Sequence, residues 1–140
     1  MPRPSPSVSA KALAEAWDVG GILAPPTHAD PTFDLDDAYR VACDVARLRR
    51  AAGWRPAGWK VGFTHRDLWP ALGIDRPILA PVYEETVTRA GPQDAEVVVA
   101  VGPRAALRLE VEVVFGYEAA SRYGEPEWVS LGVELVDCHY

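Results

Sequence analysis

The spacing of hydrophobic positions changes character near Gly53. Before it, apolar residues recur at intervals of three and four; after it, they alternate in short runs between turn formers. Ser9 stands where it can cap a helix running through Trp17, with Ala12, Leu13, Ala16 and Trp17 on one side and Gly20-Gly21 ending it. Three prolines between Ala24 and Pro31 fix φ and remove donors, so this stretch reads as a loop. A second helix starts behind Asp34 as its N-cap. Its spacing is expected to bury Leu35, Ala38, Ala42, Val45 and Leu48, while Arg47, Arg49 and Arg50 suit its negative C-terminal end and Gly53 stops it.

Beyond Gly53 the pattern predicts strands over Gly58 to Phe63, Ile78 to Tyr83, Ala95 to Val101, Ala106 to Tyr117 and Val129 to Val136. A short helix interrupts them after Thr64, where Thr64 and Asp67 are spaced like a capping box and Pro70 limits the segment to a turn or two. The layout is α+β: a flexible stretch over 1–9, then one domain over 10–140 with helices to residue 53 and a β-rich part after it. No internal repeat is visible.

Leu107 to Phe115 is the most informative of these strands. A side-chain period of two puts Leu107, Leu109, Val111, Val113 and Phe115 on one face and Glu110 and Glu112 on the other, with the two glutamate Cα atoms about 6.5–7 Å apart. In-phase alternation predicts that Leu109, Val111, Val113 and Phe115 are buried. Two readings fit the acidic pair: the wet face of an amphipathic strand, or two ligands of a cation. The strand ending at Val136 bears on that choice, because Glu134 interrupts an otherwise apolar run and a buried carboxylate needs a partner charge, a proton or a metal ion. Glutamate oxygens without histidine or cysteine nearby favour Mg²⁺ or Mn²⁺ over zinc.

Composition limits what such a site serves. The chain has 140 residues, 49% hydrophobic and 24% charged, with a formal net charge of −6, which reads as a globular domain with no nucleic-acid partner. Two cysteines, Cys43 and Cys138, build no disulfide framework and suggest reduced thiols in a cytoplasmic protein. The first residues lack the apolar core of a signal peptide, and no apolar run is long enough for a membrane span.

Lys60 lies in Gly58-Trp59-Lys60-Val61-Gly62, where glycines leave room beside the ammonium. Its readings are a solvent-facing strand lysine or, opposite a carboxylate cluster, a cationic donor to an anionic substrate. The second reading makes Lys60 serve the substrate rather than the fold. His28, His65 and His139 are scattered and read as loop or surface residues, and Asp75, Glu84 and Glu85 as turn and rim residues.

Several of these segments taken together resemble one family. Asp37-Ala38-Tyr39-Arg40, Gly58-Trp59-Lys60-Val61-Gly62-Phe63-Thr64, Leu72-Gly73-Ile74-Asp75-Arg76-Pro77, Arg108 to Phe115 and Val133-Glu134-Leu135-Val136-Asp137 follow the order seen in the 2-keto-4-pentenoate hydratase and oxalocrotonate decarboxylase group of the fumarylacetoacetate hydrolase superfamily. The resemblance implies N-terminal helices packed on a mixed β-roll. It also implies Glu110, Glu112 and Glu134 as ligands of Mg²⁺ or Mn²⁺, Lys60 as a catalytic lysine, and Lys60 with Thr64 as substrate contacts. The implied activity is hydration or decarboxylation of a 2-oxo acid in aromatic-compound catabolism, by a cytoplasmic homo-oligomer.

The chain departs from the family pattern at two points. Where the hydratases commonly carry an acid after the proline, it has Pro77-Ile78-Leu79-Ala80, and it ends soon after Glu134, where the second half of a roll would follow. A truncation, a split gene product needing a partner, or a remnant is therefore expected. Beside the lyase reading stand a C–C hydrolase of a diketo acid and a non-catalytic fragment or partner subunit.

Overall fold

A computed structural model describes residues 9–104, 106–118 and 124–140; the flexible stretch expected at the N-terminus lies outside these, apart from Ser9. The chain is α+β. Helices α1 (Ala10–Val19), α2 (Pro26–Ala29) and α3 (Leu35–Ala51) come first, followed by strand β1 (Pro56–Gly62), helix α4 (Trp69–Leu72) and strands β2 (Ile78–Tyr83), β3 (Leu107–Gly116) and β4 (Trp128–Asp137). The strands form two antiparallel pairs, β1 with β2 and β3 with β4. No helix among the described residues is long and apolar enough to cross a membrane.

Local chemistry explains the helix ends. The Ser9 hydroxyl accepts from the Ala12 N–H, and Gly20 ends α1 in the left-handed region at φ 69°. A side chain at Gly20 would also collide with the backbone, since a Cβ there would lie 2.6 Å from the Pro103 carbonyl carbon. Asp34 and Asp37 form a reciprocal capping box at the start of α3. Two expectations are corrected here. The proline-rich loop contains the one-turn helix α2, because Pro26 at its first position carries the φ that a helix start needs. Thr64 caps nothing: a single 3₁₀ turn over Arg66–Leu68 starts behind His65, without a side-chain cap, and leads into α4, where Pro70 sits early enough to be tolerated.

The buried stripe of α3 is rotated from the one expected. Asp37, Val41 and Arg49 are buried, whereas Leu35, Ala42 and Leu48 are exposed. The reason is Arg49, whose guanidinium stacks 4.7 Å from the Trp17 ring and 4.4 Å from the Trp54 ring. It also pairs with Asp18 at 2.8 Å and donates to the Ala14 carbonyl at 3.3 Å. Trp54 packs edge-to-face on Trp17 and Tyr83, with centroids 5.3 and 5.4 Å apart. Two helices and the β1–β2 pair thus meet around a cation held between aromatic faces rather than around a leucine stripe.

Two further corrections concern the β part. Residues 95–101 form no strand, although Val97 to Val99 and Val101 have strand chemistry; a strand needs a hydrogen-bonding neighbour, and none among the described residues is paired with them. Leu109, Val111, Val113 and Phe115 are exposed, not buried, as are their cross-strand neighbours Leu135, Val133, Leu131 and Val129. The alternation is in phase, but nothing among the described residues covers that face. Ala16 and Val41 are the buried apolar residues of the described chain.

Candidate metal centre

The acidic face of the β3–β4 pair is the one that Lys60 approaches, and it stays partly open. Antiparallel register sets Glu110 directly across from Glu134, and Glu112 across from Gly132. Opposed residues on one face hold their Cβ atoms about 4.5–5.5 Å apart, so the three carboxylates converge by construction of the ladder. One oxygen from each of Glu110, Glu112 and Glu134 lies within 4.8 Å of the others. Gly132 keeps the space beside Glu112 open, and a Cβ there would sit 2.8 Å from Val114 Cγ2.

Lys60 reaches this cluster from the other pair. It stands on β1 opposite Ala80, and glycines two residues to either side leave its arm unobstructed. Its Nζ lies 3.3 Å from Glu112 Oε1 and 3.6 Å from Glu110 Oε2, and is in closer contact still with Glu134 Oε2. Lys60 and Glu134 are half-buried, Glu110 and Glu112 more open. Glu134 Oε2 is buried and has no hydrogen bond of regular geometry; among the described residues the Lys60 ammonium compensates it.

These residues fit a hard dication. The donors are all carboxylate oxygens, as Mg²⁺ and Mn²⁺ prefer, and they converge without a histidine or thiolate. With Lys60 in place the cluster keeps a formal charge of −2, which one divalent ion balances. The ammonium and the ion would compete for the same oxygens, so Lys60 has to withdraw as an ion enters.

Other candidates fall elsewhere. Thr64 is exposed, two residues past the end of β1, and none of the described hydrogen bonds joins it to the carboxylates. Asp75 pairs with Arg76 at 2.7 Å on the surface. Glu85 accepts from the Arg55 N–H at 3.0 Å, and this bond holds its carboxyl below the usual glutamate range. His139, expected at the surface, is buried: its Nδ1–H donates to the Gly21 carbonyl at 2.9 Å, its own carbonyl accepts from Leu23 at 2.7 Å, and Nε2 lies 3.7 Å from Asp137. The i, i+2 pairing of Asp137 with His139 at the end of an extended run was the available signal for this clasp.

No model of a known protein family matches the chain. A 65-residue stretch is 35% identical to the 2-hydroxyhexa-2,4-dienoate hydratase of Comamonas testosteroni. The match takes in 46% of this chain and 25% of that protein, so the chain is a partial relative of a protein named as a hydratase and spans about a quarter of its length.

Proposed function

We propose that this chain is a hydratase-like, divalent-metal-dependent lyase of the fumarylacetoacetate hydrolase superfamily. Its substrate is a 2-oxo acid such as 2-keto-4-pentenoate, formed in aromatic-compound catabolism. The observation that carries this reading is the convergence of Glu110, Glu112 and Glu134 on one sheet face with Lys60 above them. The partial similarity to a dienoate hydratase supports it.

In this reading Glu110, Glu112 and Glu134 would hold Mg²⁺ or Mn²⁺. The ion, when bound, supplies Lewis acidity toward the 2-oxo and carboxylate oxygens of the substrate. Lys60, displaced from the carboxylates, turns its ammonium to the substrate's anionic end and donates a hydrogen bond to oxygen as negative charge grows there. Lys60 is the acid that the described chain brings beside the carboxylates. Thr64, at the open end of β1, is assigned to the substrate's distal end.

A second reading rests on the ion pairs themselves. Lys60 lies within ion-pairing reach of all three carboxylates without a metal, as in a structural cluster of a non-catalytic partner subunit. Turnover separates the two. The purified chain is incubated with Mn²⁺ and a 2-hydroxydienoate, and loss of the conjugated dienol absorbance is followed. The lyase reading expects a rate that falls at least a hundredfold in Glu134→Gln. Absence of turnover in the folded chain supplied with Mn²⁺ selects the partner-subunit reading, and cleavage products from a diketo acid select C–C hydrolysis.

A further inference from the structure

The chain leaves β1 through a strained residue. Phe63 has φ 56°, the one positive value on a non-glycine residue among those described, and a residue with a Cβ occupies that left-handed region only at a cost. A glycine stands next to it, yet the turn does not fall there. Gly62 is the last residue of the ladder, paired with Ile78 and so close to it that a Cβ would sit 3.2 Å from Ile78 Cγ1. The strand is therefore pinned as far as Gly62, and Phe63 carries the change of direction. Burial does not offset the strain, because Phe63 is 47% exposed.

Trp69 holds the turn. Its indole Nε1–H donates to the Phe63 carbonyl at 2.7 Å. Its own backbone is fixed at the head of α4, where its carbonyl accepts from the Ile74 N–H at 3.1 Å, and the Arg66 guanidinium lies 5.7 Å from its ring. Residues 64–68 form a loop tied at both ends, and Thr64 is its first residue, just beyond the strand that carries Lys60. Strain held at one peptide by one directed bond is the pattern of a preorganised site rather than of a core. We infer that Trp69 is a positioning residue: by locking the Phe63 peptide in the left-handed conformation, it fixes Thr64 relative to Lys60 and so sets the span over which a substrate is gripped at both ends. This rests on the lyase reading and deepens it, since a fixed span discriminates among 2-oxo acids by length. Without the indole bond, Phe63 relaxes to negative φ and Thr64 moves with it.

The test is steady-state kinetics of the purified chain with Mn²⁺ on 2-hydroxydienoates of two chain lengths. Trp69→Phe keeps an aromatic ring and deletes the N–H. It is expected to raise KM for the preferred substrate about tenfold, to leave kcat within about twofold, and to shrink the difference in KM between the two substrates. Mn²⁺ affinity should be unchanged, because none of the ion pairs of the carboxylate cluster involves Trp69. Phe63→Gly removes the cost of the left-handed conformation; alone it should raise Tm, and added to Trp69→Phe it should bring KM back by about threefold or more. An active wild-type chain whose KM and length preference survive Trp69→Phe overturns the inference and leaves the lyase reading intact. A lowered Tm and kcat with unchanged KM, not relieved by Phe63→Gly, makes Trp69 a structural residue only and overturns it too. A folded wild-type chain that turns over neither substrate removes the lyase reading, and the substrate role of Trp69 with it.

Discussion

Replacing Lys60 with methionine keeps most of the side chain's length and removes its charge from among three carboxylates. At 3.3 and 3.6 Å, the separations of its ammonium from Glu112 and Glu110, each attraction it removes is worth about 1.2 kcal/mol at the dielectric of water and about 5 kcal/mol at an effective value near 20. Glu110, Glu112 and Glu134 are 51, 38 and 32% exposed, so screening places them near the watery end. The three lost attractions together then amount to roughly 3–4 kcal/mol, part of which the carboxylates recover by moving apart into water. Metal-free Lys60→Met is expected to lose about 1–3 kcal/mol of stability, a fall of several degrees in Tm.

The same substitution changes cation binding in the opposite direction. An ammonium about 4 Å from a dication costs on the order of 2 kcal/mol even in a water-like dielectric, so its removal should tighten Mn²⁺ binding about tenfold or more. Thermal unfolding in EDTA and in Mn²⁺, with calorimetric titration of Mn²⁺, reads both effects. The variant should be the less stable protein without metal and gain more from adding it. Unchanged Tm in EDTA together with unchanged affinity would refute the reasoning, because it would mean that Lys60 does not share the carboxylates' oxygens in solution. The placement of its ammonium among the carboxylates gives Lys60 a contact within the fold as well, so its loss should be felt in folding and in kcat/KM.

Gly132→Ala puts a methyl 2.8 Å from Val114 Cγ2; a cost of about 1–3 kcal/mol is expected in denaturant unfolding, with weaker Mn²⁺ binding as the strand shifts beside Glu112. Arg49→Met removes the cation stacked on Trp17 and Trp54 and the bonds to Asp18 and Ala14. A loss of about 2–4 kcal/mol is expected, with a weakened near-ultraviolet circular dichroism signal from the tryptophans. Glu85 has a folded-state pKa below the ordinary glutamate value because the Arg55 N–H donates to its carboxylate. Its contribution is therefore present above the unfolded-state pKa and lost as pH falls through the folded-state one. Glu85→Gln should flatten the acid limb of the stability profile, and an NMR titration of Glu85 at or above the ordinary value would contradict that sign.

What the sequence made legible was whatever depends on near neighbours. Ser9 and Asp34 cap their helices because a hydroxyl or carboxylate two or three residues from a free N–H acts locally. Glu110 and Glu112 share a face because alternation is a property of the backbone. Their meeting with Glu134 depended on register, which the two strand patterns left open and which the ladder resolves by setting Glu110 across from Glu134. Arg49 was misread for a related reason: helical spacing ranks an arginine as surface, and only the arrival of Trp17 and Trp54 from elsewhere in the chain makes its burial favourable.

The exposed ribbon shows where this kind of reading stops. Alternation establishes that Val111, Val113, Leu131 and Val133 share a face and that the glutamates lie on the other, but it carries no information about what covers either side. The carboxylate face meets Lys60, which brings a charge to it from β1, and stays partly open; no described residue is brought to the apolar face. The two faces are coupled through one backbone. A partner that fixes the twist of the apolar side also fixes the Glu110–Glu134 separation across the ladder, since both residues belong to the same pair of strands. Cation affinity should therefore respond to whatever packs on the apolar side, even though the carboxylates lie on the other face.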